Sequence, residues 1–213
     1  MILLNNSHLL LQGTIVTLYL SLGAIIISTM MGLFLALGQL YTNIVFRSLV
    51  EAFLFFVRGV PLLVLLFAMY YLLPFTGLTI DTTFGGIFVI GFYFSAFMCE
   101  VFRGAIIGVP KGQVDAGRAI GMYGSKLMTF VIIPQALKLI GPPFVNTSIM
   151  VVKGTALVSI IGLVDVTLVG RQIVERTLAP FQIFGGVAAI YFVICYGLSL
   201  LGRYLERRTS YVH

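Results

Sequence analysis

A polar loop at residues 109–126, reading VPKGQVDAGRAIGMYGSK, interrupts an otherwise apolar chain. It contains four charged residues and four glycines. Asp115 and Arg118 stand three positions apart, a spacing at which two side chains meet on a helix and can form an ion pair. Glycines at this density favour turns. These residues predict a short helix that ends in a turn, which suits the binding of a partner.

Catalytic and nucleotide-binding patterns are missing from the sequence. The fragment nearest to a P-loop, GMYGSK at residues 121–126, has its serine and lysine in the wrong order. The only histidines, His8 and His213, stand near the chain ends, and Cys99 and Cys195 lie in apolar runs, where cysteine packs as a small core residue. We therefore expect a chain that is not an enzyme and that binds no cofactor or metal.

Hydrophobic residues make up 60% of the 213 residues and charged residues 9%, whereas soluble domains carry about 25% charged residues. Membrane lipid must cover such a surface, and long apolar runs without alternation predict spanning helices rather than barrel strands. One all-α transmembrane domain over residues 1–213 is predicted, with spans at 13–37, 51–73, 84–108, 127–152 and 183–201. The apolar part of the stretch between the last two spans is too short to cross, which predicts a re-entrant or protein-buried segment.

The basic residues predict the orientation of the chain. With an external N-terminus, five spans place eight of the thirteen Lys and Arg residues on one side: Arg47, Arg103, Lys111, Arg118, Lys126, Arg203, Arg207 and Arg208. Basic residues concentrate on the cytoplasmic side of a membrane. The loop 109–126 and the C-terminus are therefore predicted to be cytoplasmic. The first dozen residues lack a basic start, so we expect no cleaved signal peptide.

Within the loop, Val109 precedes Pro110, which predicts that the third span ends there and that a short helix opens. Four apolar residues follow at helical spacing and form one stripe: Ala116, Ala119, Ile120 and Tyr123. Gly121 suits the left-handed position that ends a helix, and Ser125 can cap the next one. A helix this short is marginal in water, so its stripe should dock into a partner. The alternative is that the stripe lies on the membrane surface or packs against the protein's own helix ends.

The loop resembles the EAA motif of binding-protein-dependent ABC importer permeases. The matching positions keep the motif's spacing but have Asp for Glu and Gly for the second Ala: Asp115, Ala116, Gly117, Gly121, Val131, Ile133 and Pro134. Further segments resemble the polar amino acid subfamily of these permeases: VRGVPLLVLLF (57–67), EVFRGAIIGVPKGQ (100–113), IIPQALKLIGPPFVN (132–146) and KGTALVSIIGLVDV (153–166). The resemblance covers nearly all of residues 12–205.

The resemblance implies a five-transmembrane-helix type I ABC importer permease fold in a bacterial inner membrane. It implies that the loop is a coupling helix, which docks on a separate cytosolic ATPase through Asp115, Ala116, Gly117, Arg118, Ala119, Ile120 and Gly121. It further implies two ATPase subunits that bind the ATP, a second permease chain (identical or paralogous), an extracytoplasmic solute-binding protein and a polar amino acid substrate, without nucleic acid. Gly117 should weaken the coupling helix by up to about 1 kcal/mol relative to alanine.

Charged residues inside the predicted spans are costly and are functional candidates. Arg58 can contact the transported molecule, or it can reach the interface or pair with Glu51 on the same helical face. Glu100 and Arg103 stand three positions apart, so a pair within one helix is favoured over contact with substrate.

The fourth span contains Pro134 and the dipeptide Pro142-Pro143, which predicts a break in the helix. Broken backbone at membrane depth is typical of transport sites. Polar residues follow this point and form a candidate substrate path: Asn146, Ser148, Lys153, Thr155 and Asp165. An amino acid needs donors for its carboxylate, which Lys153 and Asn146 can provide, and an acceptor for its ammonium, which Asp165 can provide. The alternative is that these groups hold the broken segment together.

Two other classes of protein remain to be weighed. A secondary transporter driven by an ion gradient would also be apolar and helical, but it would need no ATPase. A membrane-embedded enzyme is disfavoured because the sequence offers no convergent nucleophile, base or metal set.

Overall fold

The computed structural model describes residues 2–209 and the side chains of residues 2–204, and regular structure in that range is entirely helical. Ten α-helices follow in chain order: α1 (Ile2–Asn5), α2 (Ser7–Tyr41), α3 (Ile44–Gly59), α4 (Leu62–Phe67), α5 (Thr82–Ile107), α6 (Lys111–Ala119), α7 (Gly124–Leu127), α8 (Ile133–Gly154), α9 (Val166–Thr177) and α10 (Pro180–Thr209). The predicted all-α class is confirmed. The side chains of Arg207 and Arg208 and all of His213 lie outside the described residues.

Short non-α helical segments extend some of these helices. Two are π-helical and two are 3-10 helical: Ala68–Leu72 and Met128–Ile132, then Leu73–Thr76 and Thr155–Ile161. With them, four stretches of the described chain are long and apolar enough to cross a membrane: Ser7–Tyr41, Thr82–Ile107, Gly124–Ile161 and Pro180–Tyr204. A fifth crossing results if Ile44–Gly59 and Leu62–Thr76 form one broken span.

The second predicted span, 51–73, is not a straight helix. The helix axis bends by 96° between Gly59 and Leu62. Val60 takes an extended conformation with ψ 129°, as the residue before a proline prefers. Pro61 has no backbone N–H and so cannot continue the helical hydrogen bonds. The sequence contained this signal, but an apolar run alone does not show whether a proline bends it.

Glycine contacts show the direction in which the long helices run. On α2, Gly23 faces Ile87 of α5 and Gly32 faces Met98, so residue numbers rise together and the two helices are parallel. Glycines at these positions let the helices approach closely. Residues 42–81 must therefore lead from one end of the bundle back to the other. The bent pair α3–α4 thus makes the return crossing between two parallel helices.

The remaining helices place α6 and α9 at opposite ends of the bundle. α8 is antiparallel to α5, because Gly108 faces Leu139 whereas Gly154 faces Phe94. α9 packs against the start of α2, where Gly13 faces the Val166 backbone. The end that carries α6 is called the α6 end below, and the end that carries α1, α9 and the start of α10 is called the α9 end.

Pro142 and Pro143 lie inside the continuous helix α8, so the break predicted at this dipeptide is wrong. The fixed φ of proline is compatible with helical backbone, and α8 packs between α5 and α10, where Gly202 of α10 faces Val145. The irregularity lies earlier, in the π-helical segment Met128–Ile132. Pro134 follows this segment directly at the start of α8, so its missing N–H falls where the helical hydrogen bonding is already irregular.

The stretch between α8 and α10 is folded onto the bundle. Thr155–Ile161 forms a 3-10 segment that ends at Gly162 with a φ of 85°, and α9 follows from Val166. α9 buries one face in a cluster with α1, α2 and α10: Leu10, Val166, Val169, Ile173, Ile183 and Val187. The α9 end therefore has an apolar core of its own.

Candidate functional site

Helix α6 begins and ends at two backbone signals. Pro110 precedes its first residue with ψ 130°, and Gly121 follows its last turn with φ 81°. The N–H of Gly121 donates to the Arg118 carbonyl and the N–H of Met122 to the Gly117 carbonyl, both at 3.0 Å. This pair of bonds is the Schellman arrangement that closes a helix C-terminus. The left-handed Gly121 predicted from the sequence is confirmed.

The inner face of α6 rests on the start of the fourth crossing. Gly117 is the buried residue of the helix, and Val114 packs on the cluster formed by Ala105, Val109 and Ala136. A Cβ added to Gly117 would lie 2.7 Å from Leu127 Cδ1 and 3.3 Å from Val131 Cγ2. The glycine that departs from the motif's second alanine therefore lets α6 lie close to the chain that follows it.

The outer face of α6 is exposed. The predicted pair of Asp115 and Arg118 is confirmed, with Arg118 Nη1 3.4 Å from Asp115 Oδ1 and both side chains more than half exposed. Such an exposed pair adds little stability. Ala116 and Ala119 are also exposed, and the Ile120 side chain is 74% exposed. The exposed side chains of this face therefore contribute little to the packing of the described residues.

The predicted stripe differs in detail from the structure. Tyr123 lies beyond the end of α6 and is 67% exposed, so only part of the stripe is helical. The alternative in which the stripe packs on the protein's own helix ends is wrong for the described residues. Ser125 is not a helix cap, because α7 begins at Gly124 and no side chain caps it.

The charged residues within the crossings form a network between helices. Arg58 of α3 lies 3.5 Å from Glu100 Oε1 of α5, and Arg103 Nε donates to Glu100 Oε2 at 3.0 Å. The predicted Glu100–Arg103 pair is confirmed. The alternative pairing of Arg58 with Glu51 is wrong, because Arg58 pairs with Glu100 and Glu51 pairs instead with Arg47, whose Nε donates to it at 2.9 Å.

Three residues of the predicted substrate path are buried and already hydrogen-bonded. Ser148 donates to the Phe144 carbonyl at 2.9 Å, and Thr155 donates to the Val152 carbonyl at 2.7 Å. Asp165 caps α9, since its Oδ1 accepts from the Leu168 N–H at 2.9 Å. The hydroxyl protons of Ser148 and Thr155 are therefore already used, and the two hydroxyls could only accept hydrogen bonds from a substrate.

Asp165 belongs to a polar cluster at the α9 end. The Tyr191 hydroxyl of α10 donates to Asp165 Oδ2 at 3.2 Å and shares a hydrogen bond with Thr167 at 3.1 Å. The N–H of Val166 donates to Thr17 of α2 at 3.2 Å. Burial raises the pKa of the Asp165 carboxyl, and the hydrogen bonds it accepts oppose that shift. The cluster fastens the start of α9 to α2 and α10.

The other two residues of the predicted path, Asn146 and Lys153, are exposed on α8. They stand seven positions apart, so they lie on one face about 10 Å apart along the axis. Asn146 opens onto a cavity of about 330 Å³ between α8 and α10, which Ser199 and Arg203 of α10 also line. Pro142, Pro143 and Ile149 complete much of its α8 wall. The structure thus brings Asn146 together with polar groups of α10.

Comparison with known proteins identifies the family. Residues 8–211 match the family described as binding-protein-dependent transport system inner membrane component. This chain belongs to that family. It is 32% identical over 207 residues to the probable glutamine ABC transporter permease protein GlnM of Bacillus subtilis, covering 97% of this chain and 96% of the relative. It is 34% identical to the L-cystine transport system permease protein TcyB of the same organism, covering 92% and 84%.

A solved structure shows the same fold for a member of this class. An amino acid ABC transporter with histidines superposes with a TM-score of 0.92 and 35% sequence identity, covering 97% of this permease and 96% of that chain. The predicted type I ABC importer permease fold is confirmed. The family supports an ABC importer permease over a secondary transporter, and it implies an ATPase and a binding protein as partners.

Sequence reasoning missed several residues of the permease that the fold brings into these sites. Ser199 and Arg203 share the cavity with Asn146, and Tyr191 and Thr17 hold Asp165 and α9. All four lie far along the chain from their partners. The one available signal was that each is polar within an apolar run.

Proposed function

We propose that this chain is the permease subunit of an ABC importer that moves a polar amino acid across the bacterial inner membrane. A cytosolic ATPase pair docks on α6, and a second permease chain completes the path. An extracytoplasmic binding protein delivers the substrate at the α9 end. The permease itself hydrolyses no ATP, because nucleotide binding belongs to the ATPase subunits.

The exposed outer face of α6 is the observation that carries this proposal. Its inner face is fixed to the protein by Gly117 and Val114, which holds the helix in place without using the outer side chains. Ile120 offers an apolar anchor and the Asp115–Arg118 pair offers charges of both signs. An amphipathic helix presented in this way fits a groove on a partner.

The charges favour a cytoplasmic position for the α6 end. Basic residues concentrate there: Arg47, Arg103, Lys111, Arg118, Lys126 and Arg203. Cytoplasmic segments carry such an excess. With five crossings, the N-terminus then lies outside and the C-terminus in the cytoplasm.

For the substrate path, the exposed face of α8 is the better supported part of the predicted set. Asn146 and Lys153 can donate hydrogen bonds to the carboxylate of an amino acid, and the cavity beside Asn146 adds Arg203. Ser148 and Thr155 bond to carbonyls of α8 itself, whereas the hydrogen bonds of Asp165 hold α9 rather than this face. Relatives named for glutamine and for cystine leave the side chain of the substrate open.

The first test replaces the apolar anchor of α6. In the complex reconstituted into vesicles with its ATPase and binding protein, Ile120→Asp should lower binding-protein-stimulated ATP hydrolysis by about tenfold, because a desolvated carboxylate costs more than 1.4 kcal/mol at an interface. Ile120→Leu is the matched control and should retain stimulation, since it keeps an apolar side chain of similar volume.

Two results would contradict the proposal. Normal stimulation in Ile120→Asp would show that the ATPase does not dock on this face. Uptake by the permease without an ATPase, abolished by an ionophore, would instead favour transport driven by an ion gradient.

A further inference from the structure

Arg58 joins two crossings through three contacts. Its Nη2 donates to the carbonyl of Ala96 at 2.8 Å and lies 3.5 Å from Glu100 Oε1. Its guanidinium stands over the ring of Phe97 at 5.5 Å from the ring centre. All three partners belong to one turn of α5, so the end of α3 is fastened to α5 at a single place.

This attachment stands next to the 96° bend between α3 and α4. Arg58 is the second-last residue of α3, and Gly59, Val60 and Pro61 follow it. A Cβ added to Gly59 would meet no atom within 4 Å. The backbone can therefore change direction just beyond the attached residue, while the residue itself stays on α5.

The same turn of α5 connects to the coupling helix α6. Glu100 also accepts from Arg103, one turn nearer to the end of α5. Two residues, Val109 and Pro110, separate the C-cap of α5 from α6, and Val109 is buried against Ala105 and Ala136. A displacement of α6 therefore acts on the end of α5, on Arg103 and on Glu100.

The charged groups face a cavity in which they can rearrange. A cavity of about 420 Å³ is lined by Arg58 and Glu100 and also by Gln39 of α2 and Glu51 of α3. The Gln39 Oε1 atom is buried and has no hydrogen-bond partner within the described residues. Arg58 thus has further acceptors within the cavity if α3 moves relative to α5.

From this geometry we propose that Arg58 is a positioning residue that transmits the movement of α6 to the bend between α3 and α4 through Glu100. The inference rests on the proposed function, since it presupposes an ATPase that moves α6. It assigns a role in transport to a residue that touches neither the ATPase nor the predicted substrate path. Removal of the attachment should separate ATP hydrolysis from substrate movement.

The test measures substrate taken up per ATP hydrolysed by the complete complex in vesicles. Arg58→Gln should keep complex assembly and ATP hydrolysis while uptake per ATP falls roughly tenfold, within the range found when coupling networks are altered. Glu100→Gln is a milder variant, because Arg58 still donates to the Ala96 carbonyl. It should also lower uptake per ATP, but by less than Arg58→Gln. The double variant should be no worse than Arg58→Gln, because both changes break one connection.

The matched control is Arg171→Gln, which removes an exposed ion pair with Glu175 within α9, away from the cavity of Arg58, and should leave uptake per ATP unchanged. If Arg58→Gln or Glu100→Gln takes up as much substrate per ATP as the wild type, the inference is overturned. Equal losses in Arg171→Gln and Arg58→Gln would also overturn it, since removal of any paired arginine would then suffice. Absence of ATP-dependent uptake in the wild-type complex would contradict the proposed function instead.

Discussion

Two short helices stand at opposite ends of the permease, and they are used differently. α6 has nine residues and buries one of them, Gly117. α9 has twelve residues and buries five: Val166, Leu168, Val169, Gly170 and Ile173. α6 is closed by its own backbone at Gly121, whereas α9 is capped by Asp165, which is in turn held by Tyr191.

This difference in burial indicates different roles: α9 stabilises the fold, whereas α6 is available to a partner. Burial of apolar side chains is the main source of stability, so α9 contributes to the fold and a change there should destabilise the protein. α6 leaves most of its surface outside, so a change there should leave the protein folded and alter what it binds. A family motif on an exposed helix is therefore better explained by a partner than by packing.

The largest of the effects predicted here is on stability, at the contact of α9 with α2. A Cβ on Gly13 would lie 2.8 Å from the Cα of Val166, and backbone cannot yield as a side chain can. Gly13→Ala should lower the free energy of unfolding by about 2 kcal/mol, as overpacking typically does. Thermal unfolding in detergent measures this. Gly185→Ala on α10, where a Cβ meets open space, is the control and should not destabilise. An unaffected Gly13→Ala protein would mean that α9 is not part of the core.

A smaller effect, confined to coupling, is expected at the end of α6. Gly121 has φ 81°, where a side chain costs about 1 kcal/mol. Gly121→Ala should therefore lower the apparent affinity for the ATPase about fivefold. Gly77→Ala places the same strain at φ 83° in the loop before α5 and should leave ATPase binding normal. Titration of each permease variant with the ATPase measures this affinity. If Gly121→Ala and Gly77→Ala bind the ATPase equally well, or equally poorly, the end of α6 has no special role in binding it.

Much of the fold follows from the sequence because its signals are local. Long apolar runs predicted the crossings, and Pro110 and Gly121 predicted the bounds of α6, since these residues restrict their own backbone. The break expected at Pro142-Pro143 did not appear, whereas Pro61 produced the sharp bend. A proline removes a donor in each case, so the outcome depends on how the neighbouring helices support the chain.

Contacts between distant segments could not be predicted in the same way. The pairing of Arg58 with Glu100 joins residues on different helices, whereas the partner that the sequence suggested for Arg58 was Glu51, on its own helix. Similarly, the capping role of Asp165 depends on Tyr191, which lies on another helix. Spacing along one helix shows which side chains can meet, but only packing between helices decides which of them do.

The smallest expected effect concerns the inner face of α6. Gly117→Ala restores the alanine of the motif and should favour helix by up to about 1 kcal/mol, but its Cβ displaces Leu127 Cδ1, so the two terms should nearly cancel. A Cβ at Gly112 meets open space, so Gly112→Ala gains the helix propensity of alanine without displacing a neighbour. Hydrogen exchange of the α6 amides should therefore slow clearly in Gly112→Ala and hardly in Gly117→Ala. Adding Leu127→Val, which removes the displaced atom, should let Gly117→Ala slow exchange as well. Equal slowing in both single variants would show that α6 does not rest on Leu127, and its exposed face would then no longer be fixed in direction.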